Sequence, residues 1–223
     1  MILTHDQIIE AHKASEIIIN PFDEEQVESA SYDLRIGEQG GTTTDKKLVN
    51  IKENGYLLVQ PGDFAIVITL EEIRMGLQHA ARIGLRSKYS RKGLIATTGP
   101  QIDPGFHGRL VVGLTNLTPK PVSLPFKDSF LTIEIHKLEQ PTTKPYDGPY
   151  QGKLKLGPED IEMVTEAPGM SFSEIITTLR SLTQNVASLS TQVKTLFWVV
   201  GLAIGFLTLI LAIFGIIVVV NKT

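Results

Sequence analysis

The sequence predicts a mainly β domain, opened by one helix and followed by a long C-terminal helix. Three observations predict it. Between Tyr32 and Leu138, short runs rich in β-branched and aromatic residues (YDLRI, YLLV, FAIVITL, RLVVGLTNL, SFLTIEIHKL) are separated by Pro and Gly turn signals. From Ile175 to Leu196, apolar residues recur at alternating spacings of four and three. From Leu196 to Val220 the chain runs 25 residues without a charge. Many short strands punctuated in this way point to a barrel or a sandwich.

Taken in order, the chain opens with a helix expected within Ile2–Ile19. Thr4 and Gln7 form a capping box, and Ile8, Ile9 and His12 follow at helical spacing. After Asn20-Pro21 the β pattern begins. Turns are expected at Gly40-Gly41, Pro61-Gly62, Pro104-Gly105 and Thr118–Pro121. A short helix is expected within Lys88–Arg91. Pro168-Gly169 closes the domain, so the expected division is 1–167 for the domain, 168–195 for a stalk, 196–220 for a transmembrane helix and 221–223 for a short tail.

In the stalk, Leu179, Val186 and Val193 take heptad position a, and Ile175, Leu182, Leu189 and Leu196 take position d. The seam suits a parallel self-assembling stalk; an amphipathic helix packed on the domain is the other reading. The seam does not choose between dimer and trimer. The next 25 residues exceed the roughly 20 needed to cross a bilayer's hydrocarbon core. Trp198 stands where an interfacial aromatic belongs, and Lys194 and Lys222 flank the span. Gly201 and Gly205 form a small-xxx-small pair that suits close helix approach. The span carries no ionisable residue, which argues against a polar-lined pore.

Composition narrows the function. A net charge of −3 gives no electrostatic case for nucleic-acid binding. Without cysteine there is no disulfide and no cysteine-based zinc site. The N-terminus, MILTHDQIIEAHK, has no apolar signal-peptide core. The expectation is a cytoplasmic domain on a single-pass C-terminal membrane anchor. No P-loop and no GxGxxG are present.

Four segments stand out: NPFDEEQVESASYDLRIG at 20–37, RSKYSRKGL at 86–94, IDPGFHG at 102–108 followed by RLVVGLTN, and PYDGPYQGK at 145–153. In this order and spacing they resemble the dCTP deaminase branch of the dUTPase superfamily, from Met1 to about Gly157. The resemblance implies a distorted dUTPase-like β-barrel, a homotrimer, and sites between subunits that bind a pyrimidine deoxynucleoside triphosphate with Mg²⁺ carried by the triphosphate. Residue by residue, it implies that Arg86, Ser87 and Arg91 surround base and phosphates. Forked guanidiniums and helix-start N–H groups suit anions. It further implies that Asp103 lies next to the sugar, and that Tyr150, Gln151 and Lys153 belong to a segment closing over the nucleotide. Asp33 is read as structural, fixing a strand or subunit contact. Phe106, beside His107, is read as a packed turn residue.

One departure bears on chemistry. The deaminating enzymes of this family carry a glutamate in the strand after the IDPG turn, and this chain has Gly113 there. A positioned general base contributes about 10²–10⁴ in rate, and glycine supplies none. Glu134, or another acid in a neighbouring strand, is the candidate substitute. Lys88 and Tyr89 replace the usual Ser-Leu, and Thr97–Pro100 is one residue shorter than the usual spacing. The expectation is a membrane-anchored trimer that binds the nucleotide without deaminating it, as a sensor or binder. The alternatives are an active dUTP- or dCTP-processing enzyme, either a dUTPase-type diphosphatase using Asp103 with Ser87 and Arg91 beside it or a deaminase, and a trimeric scaffold for a membrane effector tail.

Overall fold

The computed structural model describes residues 1–165 and 172–220; Pro168-Gly169 and the 221–223 tail lie outside them. The strands are β1 (Ile17–Asn20), β2 (Tyr32–Thr42), β3 (Leu48–Asn50), β4 (Tyr56–Val59), β5 (Phe64–Met75), β6 (His79–Leu85), β7 (Leu94–Ala96), β8 (Gln101–Ile102), β9 (His107–Asn116), β10 (Val122–Pro125) and β11 (Ser129–Lys137). The helices are α1 (His5–Lys13), α2 (Ile51–Asn54), α3 (Ser87–Ser90), α4 (Pro158–Thr165) and α5 (Phe172–Val220). The chain divides into two units, Met1–Ser173 and Glu174–Thr223.

The first unit is a half-barrel. Its sheet runs β7-β9-β5-β2-β11-β6-β8, with β1 added to β5 and β3 to β2; β4 and β10 form a separate pair. All the pairings are antiparallel. The alternating runs recognised in the sequence are β2, β4, β5, β9 and β11, and their inward faces fill the core with Tyr32, Leu34, Ile36, Val67, Val112, Phe130 and Ile133.

Three local expectations change. The opening helix stops at Lys13, and Ile17–Asn20 pairs with β5 instead. Ser15, at φ 58°, turns the chain out of the helix. The isoleucine run behind it has the stiff β-branched side chains that suit a pleated surface. Gly40-Gly41 is not a turn but the far end of β2. A Cβ on Gly40 would lie 2.9 Å from the Ile66 carbonyl oxygen, so glycine there serves close backbone approach beside a register break in the β2–β5 ladder. Strand β6, with its Ala, Arg and Gly, has weak local β character; it forms because β11 pairs with it from Leu131↔Leu85 to Lys137↔His79.

The expected short helix is α3. Its Tyr89 is buried and hydrogen-bonds Asp128, while Lys88 Nζ reaches the same carboxylate at 2.6 and 2.8 Å. Burial pushes the Asp128 carboxyl up, but Lys88 and Tyr89 outweigh it and hold it below the usual range. The unusual Lys-Tyr pair is therefore one structural unit.

In α5 the heptad residues are exposed, from 40 % at Ile175 to 62 % at Leu196. Its described stretch Ile175–Gly205 is long and apolar enough to cross a membrane, by length and composition.

Gly40→Ala is expected to destabilise the domain by about 1–3 kcal/mol, because the added methyl meets backbone that has nowhere to move. Denaturant unfolding checks this; wild-type stability in the variant would mean the strands separate easily at this point.

Candidate functional site

The sheet face shared by β5 and β9 floors a cleft of about 410 Å³. Phe64 and Ile66 rise from β5. Arg109, Val111 and Gly113 rise from β9 two residues apart, as the pleat requires. Thr97–Gly99 and Gln101–Asp103 form one wall. Tyr146, Tyr150 and Met163 form the other.

Asp103 is set by the turn behind it. The Phe106 N–H donates to the Asp103 carbonyl oxygen at 3.1 Å, and Gly105 takes φ 82°, which glycine adopts without strain. The Asp103 carboxylate accepts from Gln101 Nε2 at 2.5 Å and faces the cleft. Phe106 is buried and meets Tyr146 edge-on, with centroids 5.5 Å apart, as a packed turn residue should. His107 Nε2 lies 2.5 Å from Glu72 Oε1 on β5.

Gly113 is enclosed. Its N–H donates to Thr98 Oγ1 at 2.8 Å, and its carbonyl accepts from the Thr97 N–H at 2.9 Å. A Cβ would lie 2.5 Å from Thr97 Oγ1 and 2.9 Å from Phe64 Cε2. The space a longer side chain would need is filled by the Phe64 ring and the Thr97 hydroxyl. Glu134 stands away from this cleft. It lies on β11, which pairs with β2 and β6 and not with β9, and it is not among the cleft's lining residues. Asp103 is the one carboxylate among those residues.

The other residues singled out in the sequence fall into two groups. Tyr150 lines the cleft. Gln151 fastens the walls: its Oε1 accepts from the His107 N–H at 2.9 Å and its Nε2 donates to the Gly105 carbonyl at 2.9 Å. Lys153 turns to α4, where Nζ meets Asp160 Oδ2 at 2.6 Å and Glu159 Oε1 at 2.9 Å. Burial lowers the Lys153 ammonium's pKa, but these two carboxylates more than compensate and raise it. Asp160 is fully buried and also accepts from the Gly157 N–H at 2.7 Å.

Arg86, Ser87 and Arg91 do not line this cleft. Arg86 pairs with Asp33, which is 2 % exposed and also accepts from Thr132 Oγ1 at 2.6 Å. Burial raises the Asp33 carboxyl against the opposing pull of Thr132 and Arg86. Asp33 thereby ties β2 to β11 and to the residue that starts α3. Ser87 and Arg91 are exposed.

Phe64, Tyr146, Met163 and Arg109 were missed in the sequence. Only Arg109 left a signal there, as a charge inside an otherwise apolar strand run.

The mainly β half-barrel with its N-terminal helix is a dUTPase-like fold. The chain belongs to the dCTP deaminase-like family, whose sequence profile matches residues 2–126. It is 35 % identical over 150 residues to a dCTP deaminase of Thermococcus sibiricus, covering 67 % of this chain and 94 % of that one. It is 31 % identical over 160 residues to a dUMP-forming dCTP deaminase of Methanothermobacter thermautotrophicus, covering 63 % and 81 %. In structure it is similar to the 2′-deoxycytidine 5′-triphosphate deaminase of Agrobacterium tumefaciens, with a TM-score of 0.53, 18 % identity, and coverage of 61 % of this chain and 48 % of that one.

Asp160→Ala is expected to cost roughly 2 kcal/mol, because the buried end of Lys153 loses its buried partner. Replacing both with apolar residues, Lys153→Met with Asp160→Leu, is expected to recover most of that. Thermal unfolding of the three proteins decides it; equal stability of Asp160→Ala and wild type would dismiss the clamp.

Proposed function

We propose that this protein is a membrane-anchored trimer that binds a pyrimidine deoxynucleoside triphosphate without deaminating it. The observation that carries the reading is the enclosure of Gly113. The cleft holds the Asp103 turn and aromatic side chains, which suit a nucleotide, while Phe64 and Thr97 pack against residue 113. Nothing at residue 113 activates water at the base, and no second carboxylate lines the cleft to replace it.

Two further features support the assembly. Arg86, Ser87 and Arg91 stand apart from the Asp103 cleft within one chain, which fits a site completed between subunits. The exposed heptad seam of α5 supplies a self-associating stalk, and its apolar continuation supplies the anchor. Division at about 167, 195 and 220 follows from this reading. Mg²⁺ usually keeps several waters and binds through one or two carboxylates plus substrate phosphates. A cleft with Asp103 alone fits an ion that arrives on the triphosphate. A membrane-tethered binder of this kind would report or sequester the nucleotide.

The test is titration of each deoxynucleoside triphosphate with Mg²⁺, followed by chromatography of the products. Binding with no ammonia from dCTP is expected of the wild type. No ammonia is expected of Gly113→Glu either, whose side chain meets Phe64 and Thr97. Ammonia release by the wild type would overturn the reading, and so would failure to bind any nucleotide.

One observation favours a second activity on the same site. Asp103 faces the cleft, and a carboxylate there would orient water toward a triphosphate aligned by Mg²⁺. A relative forms dUMP, by its name. On this reading dUTP yields pyrophosphate, and Asp103→Asn lowers that rate at least 100-fold with the fold unchanged. A rate that survives the substitution removes Asp103 from the chemistry.

A further inference from the structure

Of the basic groups expected to meet phosphate, Arg91 stands outside this cleft and two others are already engaged. Lys153 is held by Asp160 and Glu159, and Arg86 by Asp33. Arg109 is different. It stands on β9 inside the cleft, and among the described residues its guanidinium makes no ion pair or side-chain hydrogen bond. Its Nε is buried without a hydrogen-bond partner. Arg109 is half-buried, and a buried donor such as its Nε, left without a partner, carries a desolvation cost that an anion in the cleft would offset. The residue shares its strand face with Val111 and Gly113, so the cleft floor grades from cationic to apolar. Phe64, whose ring lies by Gly113, and Tyr150 line the same cleft as apolar surfaces for a planar ring.

We infer that Arg109 is the phosphate-binding cation of this cleft and sets its preference for nucleotides over nucleosides. The inference rests on the nucleotide-binding reading above and assigns it a residue. Arg109 presents a fork of N–H donors to phosphate oxygens. Lys153 is already paired with Asp160 and Glu159 on α4.

The full-length protein in detergent is titrated by calorimetry with dCTP and dUTP, with their monophosphates and with the free nucleosides. Arg109→Ala is expected to weaken triphosphate binding about tenfold to a hundredfold. Nucleoside binding should stay unchanged, and Arg109→Lys should recover part of the loss. Equal weakening of nucleoside and triphosphate would make Arg109 merely structural and overturn the inference. So would a variant that binds triphosphate as the wild type does, and the nucleotide reading would then survive. A wild type that binds no nucleotide would overturn both. If the variants do not fold, an arginine-specific dicarbonyl reagent on the wild type decides, read by peptide mass spectrometry. Protection of Arg109 by dCTP supports the assignment, and equal modification with and without dCTP rejects it.

Discussion

The antiparallel ladder between β5 and β9 is the constraint on which the cleft depends. It pairs Phe64 with Thr115 and Ile66 with Gly113, then loses register between Ile68 and Glu72 before resuming at Arg109. A break in a buried ladder strands backbone groups, and these must find partners. Thr69, fully buried, bridges the gap: its hydroxyl accepts from the Leu110 N–H and donates to the Glu71 carbonyl, both at 2.9 Å. The buried Glu71 carboxylate in turn binds Arg35 through its backbone N–H at 2.9 Å and its Nε at 2.6 Å. The bulge is thus a satisfied structure, and it brings Arg109 back onto the same ladder as Gly113.

From that floor the walls follow. Segment 97–99 is pinned to Gly113 through both of its backbone groups, and the Asp103 turn is pinned to the C-terminal segment by Gln151. Helix α4 lays Val164 and Ile161 against Ile66 and Ile68, and the same helix holds Lys153. A segment that resembles a closing flap is therefore fastened to the body of the domain. The chemistry its lining offers is correspondingly narrow: one carboxylate, one guanidinium, one amide, two threonine and two tyrosine hydroxyls, and aromatic surface.

Much of this was legible beforehand. The family resemblance was carried by four short segments whose order is unusual enough to be specific. The strands with strict alternation were legible because burial of one face imposes a period of two. The Asp103 turn was legible because Pro-Gly dictates its geometry locally. The 25 uncharged residues after the heptads were legible because bilayer thickness sets a length. Strand β6 was not, because its residues gain their conformation from β11 across the sheet. Nor was the role of Gly40-Gly41, since two glycines look alike whether they make a turn or admit a neighbouring backbone.

The sequence by itself determined the fold class, the family and the apolar tail, all of which depend on residue identity or on short-range periodicity. Only the tertiary structure decided what surrounds Gly113, how Lys153 and Arg86 are paired, and that Glu134 stands on β11, away from the cleft. Those are distances between residues remote in the chain. Phe64 lies 49 positions before Gly113, and Arg86 lies 53 after Asp33; no local pattern encodes their meeting, because β pairing and side-chain packing set it only once the sheet is assembled.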